Sequence, residues 1–215
     1  MKNNTVSVEI LYQDTDIVVI NKPGGLLAVP GRGPDKQDCV TARLQQLFEQ
    51  MIAQPAVHRL DMYTSGVMVY AITTQAHRTL SIQFEKRRVK KRYVALLEGL
   101  IHEDKGKIHL PFRLDPANRP LQVYDPQKGK MGVTLWEIIG HEKNTTRVAF
   151  TPLTGRTHQL RVHSAHPLGL GTPIVGDSLY GSGSDGDKMF LHATYLRFFH
   201  PITDTPVEFH SPTPF

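Results

Sequence analysis

The chain has 215 residues, 40% of them hydrophobic and 21% charged, which is enough to bury an ordinary core without help from disulfides or metal. No stretch approaches the roughly 20 apolar residues of a membrane helix, and the composition excludes disordered and collagen-like chains. Lysine and arginine outnumber the acids 25 to 20, and the excess is local: Lys86, Arg87, Arg88, Lys90, Lys91 and Arg92 are six cations in seven positions. The other 19 cations nearly cancel the 20 acids, so the basicity is one patch, suited to a polyanion docking at one place. The amino terminus, MKNNTVSVEI, lacks the apolar stretch of a secretory signal, and the expected location is the cytoplasm.

In chain order, Val6 to Tyr12 and Ile17 to Asn21 read as two arms of a hairpin around Gln13-Asp14-Thr15-Asp16, broken by Pro23-Gly24-Gly25. Leu44, Leu47, Phe48 and Met51 recur at helical spacing and predict a helix over Val40 to Met51. Val67 to Ala71 suits a buried strand, and Ala76, Leu80 and Phe84 place a helix over Thr74 to Lys86. Tyr93 to Leu97, Thr134 to Ile138 and Arg147 to Thr151 alternate as strands do. A short helix is predicted over His158 to His166, opened by Thr154 or Thr157, and strands over Leu191 to Phe199 and Val207 to His210. Pro167 to Gly171 and Gly181 to Gly186 are loops by composition. Strands and helices do not alternate as a doubly wound fold requires, so the expectation is α+β: one domain with a mixed, mainly antiparallel sheet and flanking helices and loops.

Several motifs are empty of the chemistry they suggest. Gly181 to Gly186 matches G-x-G-x-x-G, but Asp187 and Lys188 follow where a dinucleotide fingerprint needs an apolar helix. No G-x-x-x-x-G-K-[ST] occurs. His158 and His163 are five apart and diverge on a helix, while His163 and His166 lack a nearby third ligand, so no metal is expected. Ser65 is outside any G-x-S-x-G elbow. Cys39 is the only cysteine and reads as a bystander thiol.

His58-Arg59-Leu60-Asp61-Met62-Tyr63-Thr64-Ser65-Gly66 is different in kind, placing an acid between an arginine and a Thr-Ser-Gly turn just before an apolar strand. Taken alone it is equally a charged loop in which Asp61 caps a turn. The run resembles the catalytic-loop signature H-R-L-D-x-x-T-S-G of the RluA family of pseudouridine synthases. Asn21-Lys22-Pro23-Gly24-Gly25 resembles the family's N-K-P-x-G segment and Lys91-Arg92-Tyr93 its K-x-Y segment. Gly155 to His163 resembles its G-R-T-H-Q-[LI]-R-x-H segment, and Leu191-His192-Ala193 its L-H-A segment. The five stand in family order from Asn21 to Ala193. Ile10 to Asp14 and Asp115 to Pro120 are similar to the short RluA-type members, which lack an S4-type RNA-binding module in front. Met131-Gly132-Val133-Thr134 departs from the pattern, since many relatives carry a small residue such as alanine two before the threonine.

The resemblance implies a pseudouridine synthase catalytic fold with a central active-site cleft, residues 1–215 forming a single catalytic domain. The implied reaction breaks the N1–C1′ bond of a uridine in large-subunit ribosomal RNA, in a tRNA anticodon stem-loop, or in both, and rejoins the uracil through C5. No metal, nucleotide or other cofactor is needed. Asp61 takes the role of essential carboxylate and must be ionised in a pocket that excludes water. A cation must therefore stand against it, and Arg156 is the matching position. Tyr93 matches the tyrosine stacked on the target uracil, its hydroxyl a candidate for assisting removal of the C5 proton. The uridine would be flipped from its stack, with Arg59 entering the gap. His58, Lys86, Arg87, Arg88, Lys90, Lys91, Arg92, His158 and Arg161 are the remaining candidates for RNA contact, the basic run gripping phosphates or simply ending a solvated helix. A monomer is expected. The competing reading is a catalytically silent RNA-binding module associated with the ribosome, which would have no need of Asp61, Tyr93 and Arg156 together.

Overall fold

The computed structural model describes residues 7–215 and divides them into two compact units, residues 7–90 with Ala193–Thr213 and Lys91–His192 with Pro214–Phe215. Among the described residues no helix is long and apolar enough to cross a membrane.

The first unit opens on β1 (Glu9–Gln13) and β2 (Ile17–Lys22), an antiparallel hairpin. The predicted start of this hairpin at Val6 lies outside the described residues. Its turn is made by Asp14, whose Oδ1 accepts the backbone N–H of Asp16 and of Ile17, both at 2.8 Å. Next come α1 (Val40–Leu47), β3 (Ser65–Ala71) and α2 (Thr74–Glu85), the last capped by Thr73 Oγ1 accepting the Ala76 N–H. β9 (Leu191–Phe199) and β10 (Pro206–His210) complete the unit, with strand order β1-β2-β3-β9 and β10 on β9. Ile17, Val19, Val67 and Val69 on one sheet face meet Ala76 and Leu80 of α2 and Phe198 of β9. Each fully buried aliphatic side chain there contributes roughly 1.5–3 kcal/mol. α1 stops four residues before the predicted Met51 because its buried face is Val40, Thr41 and Leu44, whereas Leu47 is 62% exposed. The chain then turns back, and Gln45 Nε2 donates to the carbonyls of Ile52 and Ala53.

The second unit contains β4 (Lys90–Leu97), β5 (Lys105–Leu114), β6 (Gln122–Tyr124), β7 (Lys130–Glu142), β8 (Thr145–Pro152) and α3 (Gln159–Ala165). Strand order is β4-β8-β7-β5-β6, antiparallel at every step. β5 and β6 were not placed by the sequence pattern, since Gly106 and Pro111 interrupt β5. Pro111 has no N–H to give the ladder, and its carbonyl accepts the Asp125 N–H. The helix over 158–166 forms, but not with a threonine cap. His158 stands at the cap with φ 56°, and Thr154 Oγ1 is engaged elsewhere, donating to Gln159 Oε1 and accepting the Val133 N–H. Together the two units give the mixed, mainly antiparallel α+β fold expected.

α3 packs on β7 through His163, which is fully buried with neither ring nitrogen hydrogen-bonded. The fit requires Gly132: a Cβ there would lie 2.6 Å from Phe112 Cε1 and 2.7 Å from His163 Nε2. Gly132 therefore makes room for a buried imidazole. Burial, reinforced by the charge of His109, lowers the proton affinity of His163 to a pKa of about 4. In the unfolded chain the same ring binds a proton near 6.5. The unfolded state thus holds more protons between these values, so stability falls as pH drops from about 6.5 to 4, by up to about 3 kcal/mol. In denaturant melts across that range His163→Leu is expected to lose less stability than the parent, and parallel curves for the two proteins would exclude His163 as the titrating group.

Candidate active site

Asp61 ends the segment that feeds β3. Its carbonyl accepts the Thr64 N–H at 3.1 Å, closing a turn over Asp61–Thr64, and the residue is half-buried. Asp at the first position of such a turn is a low-strain choice. Two other parts of the first unit clamp this turn. Gly25 N–H donates to the Met62 carbonyl at 3.0 Å, so the N-K-P-x-G loop rests directly on the residue after Asp61. Gly66 has φ 116°, and a Cβ on it would overlap the backbone carbonyl of Ala193. The glycine of T-S-G is thus where the L-H-A segment crosses.

His58 is not a free RNA-facing group. Its ring stacks on Phe84 of α2 at 4.5 Å, and its Nε2 accepts the Val69 N–H at 3.2 Å. Arg59, next to it, is exposed. Lys22, to which the sequence pattern assigned no role, is fully buried. Its ammonium donates to the carbonyls of Pro23 (2.8 Å), Leu26 (2.7 Å) and Met62 (2.9 Å). Burial pushes its pKa down to about 7, against the opposing pull of the Asp61 carboxylate. The available signal was its place at the end of Ile17-Val18-Val19-Ile20, an unbroken buried strand.

In the second unit Tyr93 lies on β4 opposite Phe150 and is half-buried. Strand alternation puts Lys91 on the same face as Tyr93 and Arg92 on the other. The Lys91 ammonium approaches the 155 position, 3.4 Å from where a Cβ on Gly155 would stand. Gln159 ties the Thr154–Arg156 loop down: Oε1 accepts from Thr154 Oγ1 (2.6 Å) and the Arg156 N–H (3.0 Å), while Nε2 donates to the Val133 carbonyl and to Thr134 Oγ1. All four hydrogen-bonding sites of its amide are used.

Arg156 does not have the dry surroundings expected of it, because its residue is exposed at the open end of this loop. The buried arginine of the segment is Arg161, 4% exposed and paired with Asp177 through Nε to Oδ2 (2.8 Å) and Nη2 to Oδ1 (2.6 Å). Its guanidinium also lies over the Tyr180 ring at 5.2 Å. His158 is buried too, Nδ1 meeting Tyr180 Oη at 2.8 Å. Both were candidates for RNA contact and are instead built into the interior of the unit. At a spacing of three, they fall on one side of the start of α3, toward Tyr180 and Asp177.

The basic run is not uniform either. Lys86, Arg87, Arg88, Lys90 and Arg92 are exposed, whereas Lys91 is half-buried and its proton affinity lowered by that burial. Arg92 is ion-paired with Glu137. The α2 terminus is a Schellman turn, Arg87 N–H to Phe84 O at 3.1 Å and Arg88 N–H to Gln83 O at 2.9 Å, with Arg87 at φ 57°. Glycine is the low-strain residue there, and arginine costs roughly 1 kcal/mol. The double variant Arg87→Gln/Arg88→Gln is expected to weaken RNA binding and flatten the plot of log affinity against log salt by about 1.4. Lys91→Met should leave that slope alone. Filter binding over a salt series measures both, and an unchanged slope in the double variant would remove the run from the RNA interface.

A family model described as RNA pseudouridylate synthase matches residues 16–166 of this chain. The dual-specificity RNA pseudouridine synthase RluA of Pasteurella multocida is 42% identical over 212 residues, covering 97% of this chain and 94% of the relative. The protein of the same name from Yersinia pestis is 44% identical over 204 residues, covering 93% and 96%. Among solved structures, human RNA pseudouridylate synthase domain containing 1 superposes with a TM-score of 0.78 at 32% identity, covering 97% of this chain and 84% of that one.

Proposed function

The chain belongs to the RNA pseudouridylate synthase family, and on that premise we propose that it isomerises uridines to pseudouridine in both large-subunit ribosomal RNA and a tRNA anticodon stem-loop, with Asp61 as the essential carboxylate. It does so as a cytoplasmic monomer that needs no cofactor. The uridine leaves its stack and enters the site, Arg59 filling the gap, at a cost of a few kcal/mol that is smallest in loops. Tyr93 lies against the uracil. The exposure of Arg156 favours a contact with RNA over a dry ion pair, and the exposed members of the 86–92 run hold phosphates.

The observation that carries the reading is the turn at Asp61, held from one side by the N-K-P-x-G loop and from the other by Ala193 against Gly66. Three motif segments far apart in sequence meet around this turn, which supports the reading of Asp61 as the essential carboxylate over that of a module that only binds RNA. The test uses transcribed ribosomal RNA and an anticodon stem-loop carrying tritium at uridine C5, since forming the new C–C bond must release that label. Release from both substrates is expected. Binding without release from either would favour the silent RNA-binding module.

A further inference from the structure

We propose that Gln159 is a positioning residue for the bound RNA: its amide fastens the backbone of Arg156 to β7 before RNA arrives, so that the exposed guanidinium is already in place to meet a phosphate. The inference rests on the reading of Arg156 as a contact with RNA and adds to it what holds that contact still.

Arg156 follows Gly155, which has no Cβ to restrict the chain, and both residues are exposed. An arginine on a free loop loses backbone and side-chain freedom when it binds, and that loss weakens affinity. Here the backbone part is lost in folding instead. The Arg156 N–H donates to Gln159 Oε1 at 3.0 Å, and the Arg156 carbonyl accepts the Gln159 N–H at 3.1 Å, so one residue holds both backbone polar groups of residue 156. The far end of the same amide reaches the sheet, Nε2 donating to the Val133 carbonyl at 3.1 Å and to Thr134 Oγ1 at 2.9 Å. β7 also grips the start of the loop: the Val133 carbonyl accepts the Leu153 N–H at 2.9 Å, and the Val133 N–H donates to Thr154 Oγ1 at 2.8 Å. Gln159 is 4% exposed, Thr154 6% and Thr134 0%, a depth at which polar atoms need partners. A glutamate here would have no N–H for Val133 and Thr134, and an asparagine would be one methylene too short to span the gap. The clamp encloses the backbone of Arg156 and leaves its side chain outside.

The test is a double-substitution cycle on RNA affinity, with an anticodon stem-loop in filter binding over a salt series and thermal unfolding of each protein in parallel. Arg156→Gln is expected to raise Kd and to flatten the plot of log affinity against log salt by about 0.7, the loss of one phosphate contact. Gln159→Met keeps the volume and every charge, so it should raise Kd about five- to tenfold with the slope unchanged. In the Arg156→Gln background the same change is expected to cost less than about twofold, because no arginine is left to place. A loss of equal size in both backgrounds overturns the proposal, since a residue that serves only the fold is indifferent to the side chain at 156. If Gln159→Met has no cooperative unfolding transition, Thr134→Val decides the matter by withdrawing one anchor of the amide. A rise in Kd of about two- to threefold that vanishes in the Arg156→Gln background is then expected, and no rise, or one that persists there, overturns the proposal. If Arg156→Gln itself leaves both Kd and slope unchanged, the reading of Arg156 fails and this inference with it; if Arg156→Gln weakens binding while Gln159→Met does not, only the inference fails.

Discussion

Asp61→Asn is expected to bring tritium release from uridine C5 below detection, a loss of at least roughly ten-thousand-fold, while RNA binds as tightly as before or slightly more so. The substitution is isosteric and leaves in place the backbone hydrogen bond from the Thr64 N–H to the Asp61 carbonyl that closes the turn. What disappears is an anionic oxygen able to attack the nucleoside or take its proton. An amide offers one neutral acceptor and a donor in its place. Binding persists because affinity for RNA comes from cations on phosphates, and one fewer negative charge near the polyanion cannot weaken it. Single-turnover release and filter binding on the same preparation separate the two effects. Release at the parental rate would end the assignment of Asp61. Loss of binding in step with release would mean that the loop, not the carboxylate, had been damaged.

Asp177→Ala is expected to lower the stability of the second unit by about 3–5 kcal/mol, a fall of about 10 °C in Tm for a chain of this length. Asp177 is 1% exposed and does three things at once: it accepts two bonds from Arg161, and its Oδ1 also takes the N–H groups of Leu179 and Tyr180. Removing it strands a buried guanidinium as well as two backbone donors. The double variant Arg161→Met/Asp177→Asn should be clearly more stable than the sum of its parts, because the stranded charge goes with its partner and the amide oxygen still caps Leu179 and Tyr180. Circular dichroism melts of the four proteins in the cycle measure the coupling. Additive losses would mean that the pair is worth no more than a surface ion pair and that burial has been misjudged.

Local patterning was a good guide wherever neighbours in sequence decide the outcome. β9 forms over the predicted Leu191–Phe199 and α2 starts at the predicted Thr74, because alternation and a threonine cap are properties of adjacent residues. β5 was hidden by Gly106 and Pro111, whose compatibility with a strand depends on β7 and on Asp125. α1 was drawn too long, since apolar spacing cannot distinguish Leu44, which is buried, from Leu47, which faces water. The cap of α3 was misread for a related reason: Thr154 has the right side chain but finds Gln159 and Val133 first.

The same division runs through the site. The order of the five motif segments, the acid placed just ahead of a buried strand and the concentration of charge at 86–92 are all properties of the sequence itself, because they depend only on which residues follow which. Whether a particular cation meets water is not. Arg156 and Arg161 are five residues apart in one motif, yet one is exposed and the other is enclosed with Asp177 and Tyr180. Lys22 and Lys91 have the same side chain as their solvated neighbours and differ from them only in what the fold lays over them. Desolvation depends on packing by residues distant in the chain, and the tertiary structure alone decides which charges it leaves in solvent and which it encloses.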